Sequence, residues 1–484
     1  MILKNLTLKQ INKKIVDSDV TVEQLVNESI KVSKKHKDSN FCITMMEKEA
    51  MDKARLLSKN SNQAKDNFLF GVPYYLKDCI CVKDSLTTCG SKMLENYYPP
   101  YNAKVYNTLE EKQTILLGKV AMDELAMGGT GLTCFTGHVF NPLDNRRIIG
   151  GSSSGSAYAV SAGIVSFSIG TDTGDSIRRP AALCGVYGFK PTYGSISRYG
   201  CLGYTSSLDT IGYFTNSIED CAILSESLYD FDENDMTSIN NRKKYTKLID
   251  EKKHFKIGYL DYWLNKIDNN QKKEYLKLFE DIKSQGHTIS KVLIDNDILE
   301  NLLSLYRIIT FSEATSTQAN LDGIKFGYRA KGDSYEEIVK KTRQEALSTT
   351  VKRRYVLGEY MLHKENQKDY LVKAQKIRRK LINQINDLYK KVDILIIPAN
   401  TDVPPLINNL INNIDTGSSN KIDDLLLLAN FTGMPSLTIP FIRKNGLPIC
   451  LNINAKYKKD ENVFQFGKII DNIIKQKYSE VDYE

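Results

Sequence analysis

Hydrophobic and polar positions along this chain switch repeatedly between a helical period and short apolar runs, and those switches predict its elements. The first 60 or so residues read as helices, with Thr21-Val22-Glu23-Gln24 forming a capping-box start before VNESIKVSKK. FLFGVPYYLKDCICVKD then predicts a short apolar strand that holds one lysine, Lys77, among Pro73, Tyr74, Tyr75, Leu76 and Ile80. NTLEEKQTILLGKVAMDELAMGGTG runs from a helix through a strand into a glycine-rich loop, and SIEDCAILSESLYD reads as an amphipathic helix. A polar, lysine-rich segment over about 230–253 reads as a surface connection. FKIGYLDYWL restarts as a strand, NQKKEYLKLFEDIKSQG follows as a helix closed by Gly286, and HTISKVLI is a further strand. Residues 297–391 are mostly helical, KRRYVLGEYMLHKENQKDYLVKAQKIRRKLINQINDLYKK being the longest pattern. VDILIIPA, PSLTIPFI and PICLNINA are short buried-type strands, and ENVFQFGKIIDNIIKQ is a closing helix. Strands alternating with helices over the whole length predict an α/β fold around a central mixed sheet. No repeat at solenoid periods interrupts the pattern.

Composition narrows this picture without changing it. The 484 residues are 41% hydrophobic and 9% aromatic, as a globular chain with a substantial core requires. The net charge of +8 comes from 66 basic and 58 acidic residues, so the excess reads as lysine richness spread over the surface. There is neither an arginine-rich tail nor an aromatic-basic RNA motif. Nine scattered cysteines without a CxxC pair exclude a zinc cluster or disulfide framework and suggest reduced thiols. The N-terminus lacks an apolar secretory core, and no apolar run approaches the length of a membrane span. A cytoplasmic protein with no membrane association is therefore expected.

One stretch falls outside ordinary core patterning. Gly150–Pro191 sets two serine clusters among glycines, on either side of the apolar segment SAYAVSAGIVSFSIG. A flexible linker would not carry that segment. Serines in glycine turns are candidate nucleophiles beside backbone N–H groups. Histidine bases are not close in sequence: His36, His138, His254, His287 and His363 all lie outside the stretch, although a fold could bring one in. There is no GxSxG elbow and no GxxxxGK[ST] phosphate loop. Lys77 could be an edge lysine that extends its charge to water, or a desolvated lysine with a lowered pKa that acts as a base.

These residues resemble the amidase signature family. Its GGSS-x-GS motif is matched from Gly150, its D-x-G-x-S-[IV]-R-x-P motif from Asp172, and its G-[VI]-P-x-x-x-K-D strand from Gly71. The resemblance implies the amidase signature fold as a single domain over residues 1–484, with a catalytic core over about 65–230 and the rest of the substrate pocket from 254 onward. It also implies a Ser–cis-Ser–Lys triad. Ser176 would be the nucleophile, Ser152, 24 residues earlier, the relay, and Lys77 the base. Backbone N–H groups of the turn at Thr173, Gly174 and Asp175 would face the oxyanion.

Within the family the chain is similar to the glutaminase subunits of tRNA-dependent amidotransferases, through Met122–Gly128, Ser197–Gly212, Ser312–Arg329, Val351–Gly358 and Ala429–Pro440. That likeness implies glutamine as substrate and ammonia as product. The ammonia would serve Glu-tRNA(Gln), with Asp-tRNA(Asn) left open. It also implies partner subunits B and C, with ATP, Mg2+ and most of the misacylated tRNA contact in a partner, and no cofactor in this chain. Met127, Gly128, Gly129 and Tyr306 would line the pocket. Arg354, or its neighbour Arg353, would hold the α-carboxylate, and Asp423 or Asp424 the α-ammonium. A stand-alone amidase acting on an aliphatic or aryl amide, or a non-catalytic scaffold, are the competing readings. Two departures stand out: Asp175 where many relatives have a second glycine, and Ser154 in a glycine slot. The expectation for Asp175 is a side chain that points away from the oxyanion or caps the helix starting near Ile177.

Overall fold

Twelve strands from across the chain join one mixed sheet in the computed structural model, which describes residue 3 and residues 6–251, 253–410 and 421–483. In chain order they are β1 (Cys42–Met45), β2 (Pro73–Lys77), β3 (Ile115–Val120), β4 (Phe167–Asp172), β5 (Tyr187–Lys190) and β6 (Thr210–Thr215). They continue with β7 (Lys256–Leu260), β8 (Thr288–Val292), β9 (Ile394–Pro398), β10 (Ser436–Lys444), β11 (Leu447–Ala455) and β12 (Asp482–Tyr483). Their spatial order is β1-β3-β2-β4-β6-β5-β10-β11-β9-β7-β8, with β12 beside the end of β10. β2 lies parallel to both β3 and β4, and β7 parallel to both β8 and β9, while the remaining pairs of the path are antiparallel. Every residue of β2, β3, β4, β5, β6 and β9 is buried. Both faces of these strands are covered, which is why they read as continuous apolar runs instead of alternating ones. β8, at one end of the path, exposes Thr288, Ser290 and Lys291, a charged and polar edge that discourages further strand pairing.

Helices fall where the apolar period placed them, at Leu8–Val16, Val22–Lys35, Glu47–Ser58, Ile218–Leu228, Asn269–Ser284 and Asp460–Lys477. Thr21 and Gln24 form the reciprocal capping box. Three readings change. The N-terminal region is not helical throughout, because Cys42–Met45 pairs with β3; four residues are too few for a period to show, and the partner strand decides. The long pattern over 352–391 breaks at the polar HKENQ segment (363–367), which offers no apolar face to bury, into the helix Thr349–Leu362 and a π-helical turn Lys368–Val372 that runs into the helix Lys373–Leu388. The segment over 230–253 is more than a surface connection. Tyr245 is fully buried between Tyr229 and Phe464, and Asn241 donates to Ser195 Oγ at 3.0 Å and to Asp460 Oδ2 at 2.9 Å. Asp232 and Asn241 are thus satisfied inside the fold, while most of the segment's charged residues stay exposed as composition suggested. Among the described residues, no helix is long and apolar enough to cross a membrane.

Candidate active site

The parallel strands β2 and β4 run side by side, so their carboxyl ends bring Lys77 and Thr171 together. Lys77 is fully buried, and its Nζ donates to Ser152 Oγ and to Thr171 Oγ1, both at 2.7 Å. Desolvation lowers the Lys77 pKa, while Cys79, Cys201, Asp123 and Asp172 act in the opposite direction. The snorkelling alternative is therefore overturned: this amine points into the protein and away from water.

Ser152 follows a cis peptide from Gly151 and precedes the helix Ser154–Ser161. Ser153 ties this turn to the next one. Its Oγ donates to Thr171 O at 2.9 Å and accepts from Thr171 N at 3.2 Å, and its N–H donates to Ser176 O at 3.2 Å. Asp123 anchors the same turn from the other side: its N–H donates to Ser152 O at 3.1 Å, and its carboxylate accepts from the N–H groups of Thr130, Gly131 and Thr133. Gly151 is required at this contact, because a Cβ there would lie 1.9 Å from Asp123 Oδ2.

The turn carrying Ser176 is shaped by a buried ion pair. Asp172 Oδ1 accepts from Arg178 Nη2 at 2.9 Å and Oδ2 from Arg178 Nε at 3.1 Å; Oδ2 also accepts from Ile177 N at 3.0 Å. Burial alone would raise the Asp172 carboxyl, but the Arg178 charge and these bonds bring it down to about 2. Arg178 Nη2 also donates to Gly174 O and to Asn430 Oδ1. With these carbonyls and carboxylates turned to Arg178, the N–H groups of Gly174, Asp175 and Ser176 have no hydrogen-bond partner among the described residues. Thr173 Oγ1 donates to Asp209 Oδ1 at 2.6 Å, holding the start of the turn.

Of the two expectations for Asp175, the capping one is corrected here. Asp172 accepts from the first N–H groups of the helix Arg178–Cys184, while the Asp175 carboxylate pairs with Arg179 Nε at 2.5 Å. Asp175 thus sits just before the helix, and its charge is matched by Arg179 four residues on.

Tyr306 packs on Gly174, where a Cβ would lie 3.0 Å from its ring. Burial raises the Tyr306 hydroxyl pKa, and Tyr204, Arg354, Asp175 and Asp209 are close enough to act on it. The helix Thr349–Leu362 separates the two arginine candidates: Arg353 is exposed, and Arg354 is buried over the Phe311 ring with Nη1 at 3.5 Å from Tyr204 OH. Asp423 Oδ1 accepts from Thr401 Oγ1 at 2.9 Å, and its Oδ2 lies 3.5 Å from Arg179 Nη1. Asp424, also buried, acts electrostatically on Arg307 and Tyr262. Met127, Gly128 and Gly129 lie in the loop between Asp123 and the Thr130–Thr133 segment that its carboxylate holds.

Sequence reasoning missed Thr171, Asp123, Asp209, Arg179 and Arg307 as parts of this region. Asp172 and Arg178 were visible as motif letters, but their pairing was not. A charged residue inside a glycine- or small-residue-rich run, as in MDELAMGG and TDTGDSIRRP, was the available signal.

The family described as Amidase matches residues 24–464 of this chain. The A subunit of the glutamyl-tRNA(Gln) amidotransferase of Pelagibacter ubique is 36% identical over 488 residues, covering 99% of each chain. Its counterpart of the same name from Methanosarcina mazei is 36% identical over 467 residues, covering 96% of each. Among solved structures, the A subunit of the glutamyl-tRNA(Gln) amidotransferase of Thermotoga maritima superposes with a TM-score of 0.77 at 28% identity, covering 98% of this chain and 95% of that one. A crystal structure described as an amidase gives a TM-score of 0.80 at 26% identity, covering 97% of this chain and all of that one. A buried lysine on a serine turn, a second serine turn whose N–H groups have no partner among the described residues, and a family match over most of the length agree: the chain belongs to the amidase family.

Proposed function

We propose that this chain is the glutamine-hydrolysing subunit of a tRNA-dependent amidotransferase, working in the cytoplasm with partner subunits B and C. The observation that carries the reading is the desolvated Lys77 amine 2.7 Å from Ser152 Oγ, in a chain whose relatives over nearly its full length are named as A subunits of glutamyl-tRNA(Gln) amidotransferase. In the neutral amine the contact reverses, and Ser152 donates to Lys77. Ser176 Oγ attacks the side-chain amide carbon of glutamine, its proton passes to Ser152, and the Ser152 proton passes to Lys77. The oxyanion meets N–H groups of the Thr173–Ser176 turn. Collapse of the intermediate expels ammonia, which takes the proton back, and leaves a glutamyl ester on Ser176. Water then hydrolyses the ester to glutamate.

Arg354 would hold the α-carboxylate and Asp424, or Asp423, the α-ammonium, with Tyr306 and Met127–Gly129 along the pocket. A stand-alone amidase for neutral aryl or aliphatic amides has no need of buried charges of both signs, and this favours glutamine. In the proposed complex the ammonia passes to a partner, where ATP and Mg2+ activate Glu-tRNA(Gln), or Asp-tRNA(Asn), for amidation.

The test is ammonia release from glutamine by the co-purified complex, with and without misacylated tRNA. Ser176→Ala should abolish release and leave assembly intact. Continued release from that variant, or a wild-type complex unable to amidate either tRNA, would overturn the reading.

A further inference from the structure

Next to Asp123, which anchors the Ser152 turn, stands a second buried carboxylate with a different reach. Glu124 is 3% exposed. Its Oε1 accepts from Ser91 Oγ at 2.7 Å, and its Oε2 from the backbone N–H of Ser348 at 3.2 Å. Ser348 is the N-cap of the helix Thr349–Leu362, its own Oγ accepting from Val351 N. Arg354 lies on that helix, six residues beyond the cap. Glu124 therefore meets the positive end of the helix that carries the buried arginine, from a residue 224 positions earlier in the chain.

The backbone after Glu124 is equally constrained. Leu125 and Ala126 both adopt left-handed conformations, φ +52° and +60°, which bulky residues avoid. Leu125 N donates to Cys89 O and Met127 N to Glu124 O, both at 2.8 Å, so this tight reversal leads directly into Met127–Gly129. Strained non-glycine backbone persists where surrounding contacts enforce it, and it concentrates at binding and catalytic sites. A buried carboxylate whose hydrogen-bond partners are neutral is itself costly, and the Lys352 charge acts on Glu124 only from a distance. Desolvation raises its pKa against the bonds from Ser348 and Ser91.

We propose that Glu124 is a positioning residue for glutamine: it fixes the start of the Arg354 helix against the loop that Asp123 ties to Ser152. The separation between the α-carboxylate site and the Ser152–Lys77 pair is then set by two consecutive carboxylates. The inference rests on the glutaminase reading above. It requires length more than charge, because glutamine at 124 keeps an acceptor for Ser348 N and a donor for Ser91 Oγ, whereas aspartate keeps the charge but cannot reach both.

Steady-state ammonia release by the whole complex tests it, with Glu124→Asp, Glu124→Gln and Glu124→Ala compared. Glu124→Asp and Glu124→Ala should raise KM for glutamine by about tenfold with kcat within about threefold, and Glu124→Gln should stay within about threefold on both. Combining Glu124→Ala with Arg354→Ala should add little to the KM of Arg354→Ala alone, since both act on one contact. If Glu124→Ala does not fold, the Asp and Gln variants decide the matter by themselves. Equal behaviour of those two variants, a loss confined to kcat, or additivity with Arg354→Ala would overturn the proposal while leaving glutamine hydrolysis intact. A wild-type complex without glutaminase activity, or an Arg354→Ala variant with unchanged KM, would instead defeat the glutaminase pocket and this inference with it.

Discussion

Removing the proton-accepting ability of Lys77 while keeping N–H donors at that position isolates its part in the reaction. Lys77→Arg does this, because a guanidinium does not lose its proton in a protein. The wild-type amine is fully buried, out of reach of bulk solvent, and 2.7 Å from both Ser152 Oγ and Thr171 Oγ1. A positioned general base contributes about 10²–10⁴-fold. At about 1.36 kcal/mol per tenfold, that is roughly 3–5 kcal/mol of barrier. Lys77→Arg and Lys77→Met should lose kcat by that amount with little change in KM.

The pH dependence gives a second reading of the same group. In the proposed mechanism the neutral amine is the active form, so wild-type kcat/KM should rise with pH through the lowered pKa of Lys77. Stability follows the same direction. The folded pKa lies below the unfolded 10.5, so between the two the unfolded chain binds more protons and stability rises with pH. The cost of burying the ammonium is fully present below the folded pKa. Lys77→Met lacks that cost, and its stability relative to wild type should decline as pH rises, measured by urea unfolding across pH 6–10. Arginine at 77 supporting turnover within about tenfold of wild type, or a rising pH limb that survives in Lys77→Met, would refute the assignment.

Three further perturbations follow from the same geometry. Asp172→Asn leaves the buried Arg178 without its charge partner and should cost about 3–5 kcal/mol in urea unfolding; a loss below about 1 kcal/mol would show that the pair does not organise the turn. Burial, reinforced by the Arg178 charge, lowers Lys190 from 10.5 to about 7. Its stability cost is therefore present below pH 7 and fades up to 10.5, so Lys190→Met should gain stability at pH 6, at most of the order of 4–5 kcal/mol, and lose that advantage by pH 10. A pH-independent difference would contradict this. Asp175→Gly removes a carboxylate already matched by Arg179 and should change kcat by less than about tenfold; a hundredfold rise would mean that the carboxylate opposes the oxyanion.

Much of the architecture was legible locally. Apolar runs such as VDILIIPA announced β9 because a strand covered on both faces needs no polar alternation, and Thr21 with Gln24 announced a helix start because the capping bonds span three residues. Asn445-Gly446 joins β10 and β11, each nine residues long, although these had read as separate short strands. β1, β5 and β12 escaped, since two to four residues carry no period, and the six-residue β6 escaped as well.

The site divides in the same way. By itself the sequence determined which residues could do chemistry: serines in glycine turns, one lysine inside an apolar strand, and the motif spacing that relates them. Only the tertiary structure decided which of Arg353 and Arg354 faces inward, that Asp175 serves Arg179 while Asp172 serves Arg178, and that Lys77 points at Ser152 instead of water. Those outcomes depend on desolvation and, for Lys77 and Arg354, on partners 75 and 150 residues away. No local pattern encodes either quantity, because both exist only once the sheet and its covering helices have closed over the site.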